Sequence, residues 1–538
     1  MKPTDRQIGL LPYELSRRPA VGIALPLVAG IFMSGRLQSS IPLIALFLIS
    51  LLLMGLAYSP LLRGGNPLAR QLARSFSAFF FCLFIGAFPA YTRLRSVDPY
   101  TQEQSIKALV RIESPASDRG SNYRYRARIY TVGSTKRDSL WQGADILLYQ
   151  SKSVEDAQEW IPGSLVKTTL QLVPVSQLLL QDERKGFAHY LLSHSCVATG
   201  YSGNVAELVG LDSSALSQKI FHVNRKMRAT LATLGLPTQE EAALSAMLLG
   251  RNLSRGKESQ RLYQQYAEAG AAHLLAVSGF HLGVVVGLVL LLTYPLRRIS
   301  YGRVFSDLLL LVVAWAFALV TGAASSTLRA ALMLSFVLLG RWMYRETDSM
   351  NMLAASALVL LLYNPFYVYD VGFCLSYVSV FSILLFFPLL QRLLPDLRNP
   401  LLRYLWSFFA IAVAVQPLSL PLCLYYFGHG AAISVLTNIP LGILASLLIP
   451  LALIYVLWNL TGIGGASLLT EPIRLLSSAN SYLLERIELA TLPSIDYRPQ
   501  LWLLFLLWGL FIVAALYWRR FLALRQSVWQ DGVHRYQS

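Results

Sequence analysis

Charged side chains are scarce in this chain: Asp, Glu, Lys and Arg make up 14% of its 538 residues, against 55% hydrophobic. With a mean hydropathy of +0.49, a water-soluble body would have to bury repeated apolar runs of about 18 residues, the length that crosses a bilayer. Cysteine is scarce too. Cys82, Cys374 and Cys423 lie in apolar runs and Cys196 stands alone in polar sequence, which excludes a disulfide framework or a CxxC pair. No GxxxxGK[ST] loop is present to hold a nucleoside triphosphate, and seven scattered His without paired carboxylates leave little for acid–base chemistry. Acidic residues are the rarer sign, 29 against 46 basic, for a formal net charge of +17. Basic residues in cytoplasmic loops set the orientation of a membrane protein and account for most of this excess. The same charges also suit phosphates of lipid or nucleic acid.

Long apolar runs are what the chain has in place of charge. Residues 19–34, 41–58 and 76–92 form three, and Arg63, Arg70 and Arg74 sit between the second and third. That link belongs in the cytoplasm with Lys2, Arg6, Arg17 and Arg18, so three crossings deliver residues 93–205 to the outer side. Residues 17–34 begin like a signal peptide, but no clean A-x-A site follows, and 19–34 reads as a retained first span. From Leu274 the apolar spans resume near 282–294, 304–321, 327–340, 350–363, 375–390, 404–427, 433–458 and 500–518. Basic links at Arg297, Arg298 and Arg303, at Arg341 and Arg345, and at Arg392, Arg398 and Arg403 alternate with neutral ones, as an in-and-out topology requires. Pro417, Pro421, Pro440 and Pro450 fall inside long runs and predict interrupted helices, which survive in lipid only where protein or a wet cavity satisfies the freed backbone. Counting single crossings from Leu274 leaves Arg519, Arg520 and Arg525 outside, against the charge rule. Either 433–458 is a re-entrant pair or Ser467–Leu489 crosses.

Between the third and later runs the pattern changes. From Lys107 to Val175 short alternating or β-branched stretches, bounded by Gly133, Gly143, Pro162, Gly163 and Pro174, predict a small β barrel or sandwich with strands near Tyr123–Tyr130, Ala144–Tyr149 and Leu165–Val173. The period-2 geometry of a strand puts Arg124, Arg126 and Arg128 on one face, with Tyr130 beside them. Such a face suits an extended polyanion by charge and stacking. It equally suits a solvated sheet edge, since residues 93–205 hold 14 basic against 11 acidic side chains. After it, Ile220, Val223, Met227, Leu231 and Leu234 recur at helical spacing beside Lys219, Arg225, Lys226 and Arg228, the pattern of a basic helix lying on the membrane. Gln239–Leu249 and Glu258–Ala269 predict two more helices, separated by the polar link Arg251–Gly256.

The strongest local signal is Ala269-Gly-Ala-Ala-His273-Leu-Leu-Ala-Val-Ser278-Gly279-Phe-His281-Leu-Gly283-Val, where two His, a Ser and several Gly interrupt an apolar run. Polar groups at that depth are costly and usually functional, although small residues and carbonyl-bonded His also suit a tightly packed helix start. Thr321-Gly-Ala-Ala-Ser325-Ser326-Thr-Leu-Arg329-Ala clusters hydroxyls with one Arg, which either meets a phosphate in transit or snorkels to the interface. Asn364-Pro365, Asp370 with Ser376, and Asn438-Ile-Pro440 mark further breaks. Asp370 suits a helix cap there, and Asn438 suits a carbonyl freed by proline.

The ordered segments HLLAVSGFH, TGAASSTLRA, NP, DVGFCLSYVSV, QPLSLPL and NIP resemble the competence domain of the ComEC-type DNA uptake family, from about Gly235 to Pro450. Residues 19–205 also look like that family's N-terminal portion. The resemblance implies a polytopic α-helical membrane protein with an inserted small β (OB-like) extramembrane domain. The implied order is three transmembrane helices (1–92), an extracytoplasmic OB-like domain (93–205), amphipathic and interfacial helices (206–270), a transmembrane channel (271–518) and a basic cytoplasmic tail (519–538). It implies a channel in the bacterial inner (cell) membrane that translocates single-stranded DNA into the cytoplasm during natural transformation. His273, Ser278, Gly279, His281, Ser325, Ser326, Arg329, Asp370 and Asn438 are then expected to line or shape the conduit, and Arg124, Arg126, Arg128 and Tyr130 to contact DNA.

Many members of that family add a C-terminal metallo-β-lactamase-like nuclease, whereas this sequence stops at Ser538 and has no HxHxDH motif. Hydrolysis by this polypeptide is therefore not expected, nor any catalytic residue, metal or cofactor. Expected partners besides single-stranded DNA and the lipid bilayer are a separate DNA receptor, a nuclease and a cytoplasmic ATPase or helicase, with the oligomeric state open. Two other classes share parts of the pattern: a secondary transporter for a small solute or lipid-linked precursor, and a membrane-embedded enzyme using His273 or His281.

Overall fold

The computed structural model describes residues 18–37, 39–59, 67–132, 138–152, 159–212, 214–250, 256–299, 301–393, 399–431, 434–489 and 494–536. Lys2, Arg6, Arg17, Arg63, Gly133, Arg398 and most of the link from Arg251 lie outside them. The chain divides into two compact units, one of residues 1–226, 252–256 and 329–374, the other of 227–251, 257–328 and 375–538.

In the first unit, α1 (Pro19–Ser34), α2 (Ile41–Tyr58) and α3 (Pro67–Ser96) pack as a bundle. Lipid offers no hydrophobic drive for helices to associate, so close approach and polar bonds hold them together. A Cβ on Gly30 would overlap the Leu83 carbonyl and one on Gly86 that of Leu27, so these glycines let α1 and α3 touch backbone to backbone. Ser77 Oγ donates to the Ser50 carbonyl at 2.9 Å and Ser50 Oγ to that of Ser77 at 3.2 Å, which joins α2 to α3.

The insertion is a small, OB-like β barrel. Strands β1 (Gln104–Ile112), β2 (Ser117–Arg119), β3 (Asn122–Val132), β4 (Asp145–Ser151), β5 (Ser164–Pro174) and β6 (Ala198–Leu211) run in the order β1-β5-β6-β4-β3-β2, and a β1–β3 pairing closes the sheet. Only β4 and β6 are parallel; the other pairs are antiparallel. Alternate residues of each strand fill the interior, among them Val110, Ile112, Tyr125, Ile129, Ile146, Leu148, Val166 and Leu170. Between β5 and β6 stand α4 (Val175–Leu180) and α5 (Lys185–Ser193). These helices cover part of the outer sheet face around Leu147, together with Phe366 of the 3-10 turn Pro365–Tyr369. Asn364 fixes that turn by donating to the Ser193 carbonyl at 2.7 Å, and the His189 ring stacks on Tyr369 at 4.0 Å.

The remaining helices in chain order are α6 (Leu216–Ala232), α7 (Thr238–Leu249), α8 (Gly256–Glu268), α9 (Ala272–Leu275), α10 (Gly279–Thr293), α11 (Gly302–Val320), α12 (Ser325–Trp342), α13 (Ser349–Tyr363), α14 (Val371–Gln391), α15 (Pro400–Phe427), α16 (Ser434–Leu460), α17 (Thr470–Leu489) and α18 (Leu501–Tyr536). Among the described residues, seven helices are long and apolar enough to cross a membrane: α2, the Ala69–Ser96 part of α3, α11, α14, α15, α16 and the Leu501–Leu522 part of α18. The apolar helices α1, α10 and α13 are shorter.

Two sequence expectations change in the second unit. The prolines do not interrupt their helices: α15 runs through Pro417 and Pro421, and α16 through Pro440 and Pro450. Neighbouring helices supply donors instead, Ser382 Oγ to the Ala414 carbonyl at 2.6 Å and Trp508 Nε1 to that of Leu418 at 2.9 Å, in the turns the first two prolines disturb. Because α16 is one continuous helix, a re-entrant pair over 433–458 is also excluded. Strand β7 (His429–Ala431), just before α16, pairs with β8 (Ser494–Asp496), just after α17. The chain between them therefore leaves along α16 and comes back along α17, which packs on it. Helix α18 then starts at the end where α15 finishes and runs back toward the end that carries Arg392 and Arg403. The return helix escapes a hydropathy count because Glu471, Arg474, Glu485, Arg486 and Glu488 lie at its two ends and Ser477 and Asn480 are buried along its middle.

Candidate functional site

The chain entering α10 is built to break. Gly270 takes a left-handed φ of 69° at the end of α8, a conformation that costs any residue with a Cβ. A Cβ there would also overlap that of Ser434. Helix α9 lasts one turn, and Ala276 and Ser278 are extended before α10 begins. Ser278 Oγ then accepts the Phe280 N–H at 3.2 Å, and His281 Nδ1 accepts the Ser278 N–H at 3.2 Å. This is a capping box with His in the place usually held by Glu or Gln. Since Nδ1 accepts a backbone N–H, a neutral His281 carries its proton on Nε2. That atom has no well-aligned partner among the described residues, and the side chain is 0% exposed.

Side chains from the other sequence motifs satisfy two carbonyls that this break frees and tie together the segments beside it. Ser326 Oγ donates to the Val277 carbonyl at 3.0 Å, Thr437 Oγ1 to that of Ala269 at 2.6 Å, and Gln416 Nε2 to Ser434 Oγ at 2.9 Å. Gly250, with φ of 83°, closes the same junction, because a Cβ on it would lie 2.9 Å from the Thr321 carbonyl oxygen. HLLAVSGFH, TGAASSTLRA, QPLSLPL and the start of the NIP helix thus meet inside the second unit. Ser434, Thr437 and Gly250 were not singled out from sequence. Hydroxyl and glycine positions in apolar runs are too common to stand out before a partner is known.

Of the expected conduit residues, His273 is exposed, whereas Ser278, Gly279, Ser325, Ser326 and Asn438 are half-buried, all in the second unit. Asn438 Oδ1, an acceptor, is buried without a hydrogen-bond partner among the described residues. Arg329 and Asp370 belong to the first unit. Arg329 is 6% exposed, which rules out a plain snorkelling anchor. Asp370 Oδ1 accepts the Phe373 N–H at 2.6 Å and caps the first turn of α14. Ser278 Oγ also lies 2.9 Å from His281 Nδ1, a hydroxyl–imidazole contact that proton transfer would require, but both atoms already serve the cap.

On the barrel, the structure places Arg124, Arg126, Arg128 and Tyr130 on the outer face of β3, alternating with buried Tyr125, Ala127 and Ile129. They differ in what they touch. Arg128 forks onto Asp145, Nε to Oδ1 at 2.7 Å and Nη2 to Oδ2 at 2.9 Å, so much of its charge is already answered. The Tyr130 ring lies 6.0 Å from the Arg111 guanidinium, and Arg111 pairs with Glu113 and Asp212. Arg124 lies over the Tyr190 ring at 5.8 Å. Arg126 is exposed with no acidic partner among the described residues. Beneath this face, burial holds His189 and His194 below the usual histidine range and pushes the Cys196 thiol up to about 12, leaving it unreactive. No group of three or more metal-ligating side chains occurs among the described residues.

The model of the competence protein family matches residues 253–521, half of the chain. "ComE operon protein 3" of Bacillus subtilis (strain 168) is 31% identical over 203 residues, 38% of this chain and 24% of that protein. "Recombination protein 2" of Haemophilus influenzae is 28% identical over 260 residues, 46% of this chain and 31% of that protein. The chain thus spans less than a third of either relative. No solved structure matches.

Proposed function

The chain belongs to the competence protein family, and from that premise we propose that it is the inner-membrane channel that passes one strand of DNA into the cytoplasm during natural transformation. The carrying observation is the junction at Ala269–His281, where polar groups of four separate motifs meet in an otherwise apolar body. An uncompensated buried polar atom costs about 1–3 kcal/mol. Asn438 Oδ1 supplies one such atom, a cost that a hydrated route beside it offsets. A polyanion needs such a route, with cations that bind weakly enough to release. Arg124 and Arg126 offer such cations on the barrel. In this reading a partner ATPase or the membrane gradient supplies the work, and a separate nuclease and DNA receptor prepare the strand. The Ser278–His281 contact favours one rival, a membrane-embedded enzyme. Deleting the gene in the source cell is expected to abolish transformation by naked DNA while leaving surface DNA binding intact. Transformation at normal frequency, with no second copy of the gene present, would overturn the proposal.

A further inference from the structure

Cross-strand register places the residues opposite Arg124 in a row across the outer barrel face. Arg124 pairs with Tyr149 of β4, Tyr149 with Tyr201 of β6, and Tyr201 with Gln171 of β5. The Tyr149 and Tyr201 rings stack at 5.3 Å and 19°. The Arg124 guanidinium covers the Tyr190 ring of α5 at 5.8 Å. Tyr190 in turn lies 4.3 Å from the His194 ring. Planar groups from four elements therefore form one continuous ridge. Tyr201 is 46% exposed, and Tyr149 and Tyr190 are half-buried at its flank. The neighbouring row through Leu147 is sealed by α5 and the 3-10 turn, so the tyrosine row is where the covered face ends and open face begins.

We infer that Tyr149, Tyr201 and Tyr190 form a base-stacking platform for single-stranded DNA, with Arg124 and Arg126 holding the phosphates of the same strand. This rests on the proposed function and moves its barrel contact away from the Arg128–Tyr130 end, where Asp145, Glu113 and Asp212 already answer the cations. Every base offers a π-face, so such a row grips any sequence, as passage of arbitrary DNA demands. A strand sliding over it exchanges one stacked base for the next without reading either.

The test uses the full-length protein in detergent with two fluorescent oligomers of about twelve nucleotides, one of thymidines and one abasic with equal charge. Tyr201→Ala, at an exposed position that folding tolerates, and Tyr149→Leu, which keeps apolar bulk, are each expected to weaken thymidine-strand binding about ten-fold. Abasic binding and the salt slope should stay unchanged, and Tyr149→Phe should keep wild-type affinity. Arg124→Ala with Arg126→Ala should weaken both oligomers and flatten the salt slope. Tyrosine variants that bind like wild type, or that lose both oligomers equally, would overturn the platform while leaving the channel proposal standing. A wild-type protein that binds neither oligomer would overturn both.

Discussion

Gly270 and Gly283 are thirteen residues apart in the same motif region, yet they face opposite circumstances. At Gly270 a side chain would have to adopt φ of 69° and push into Ser434. Gly283 lies within α10 with nothing inside 4 Å of its notional Cβ. Gly270→Ala should therefore cost about 2–4 kcal/mol from left-handed strain and overpacking together. Gly283→Ala should be neutral or stabilise by up to about 1 kcal/mol. Thermal melting in detergent checks the pair, and equal melting temperatures would refute the assigned contact. The sequence displays both glycines and the alternation of Arg124, Arg126 and Arg128. It does not display that Arg128 is held by Asp145, because that partner stands on another strand and is set by register. Tyr149, Tyr190 and Tyr201 stayed invisible for the same reason, each being one tyrosine among 27.

Among the elements, long apolar helices and the β insertion are legible because periodicity and hydropathy are local properties. The edges of the insertion are not. Strand β6, with its three Gly and an exposed Leu208–Val209–Leu211 stretch, lacks clean alternation, and it pairs with β4 and β5 rather than with a sequence neighbour alone. The prolines mislead for a related reason: a Pro removes one backbone bond, and whether the helix breaks depends on donors such as Ser382 and Trp508 from other helices. Helix α5 carries a pH prediction. Burial holds His189 and His194 neutral, with folded pKa values below the ordinary histidine value. Their facing groups include Lys185, Arg124, Arg126 and Asp370, and the stacked Tyr369. On acidification the unfolded chain takes up protons first, so this contribution is full above the unfolded histidine pKa and is lost as pH falls through it. Melting of the full-length protein should drop between about pH 7.5 and pH 5.5. Replacing both residues by Phe should flatten that slope, and an unchanged slope would show that other groups set it.

At the scale of the whole molecule, the β7–β8 pairing brings the chain back along α17 to the end from which α16 sets out. The basic residues Arg392, Arg403, Arg519 and Arg520 then lie toward one end of the second unit, the grouping the charge rule asks for. Hydropathy alone misses this, because α17 presents buried Ser477 and Asn480 to its neighbours and its middle reads as polar. Order and identity of the motifs were visible in the sequence, and so was the family. Their meeting through Ser326–Val277, Thr437–Ala269 and Gln416–Ser434 was not, since it joins residues up to 168 positions apart. The most direct measurement is thiol accessibility at that junction, in membranes carrying the protein with Cys82, Cys196, Cys374 and Cys423 replaced. Single cysteines at positions 273 and 438 should react with a membrane-impermeant, charged thiol reagent, more slowly when a single-stranded oligonucleotide is present. A cysteine at Val285, only 1% exposed in the core, should not react. If 273 and 438 prove as inert as 285 from both sides of the membrane, no hydrated route runs there and the channel is not in this part of the molecule.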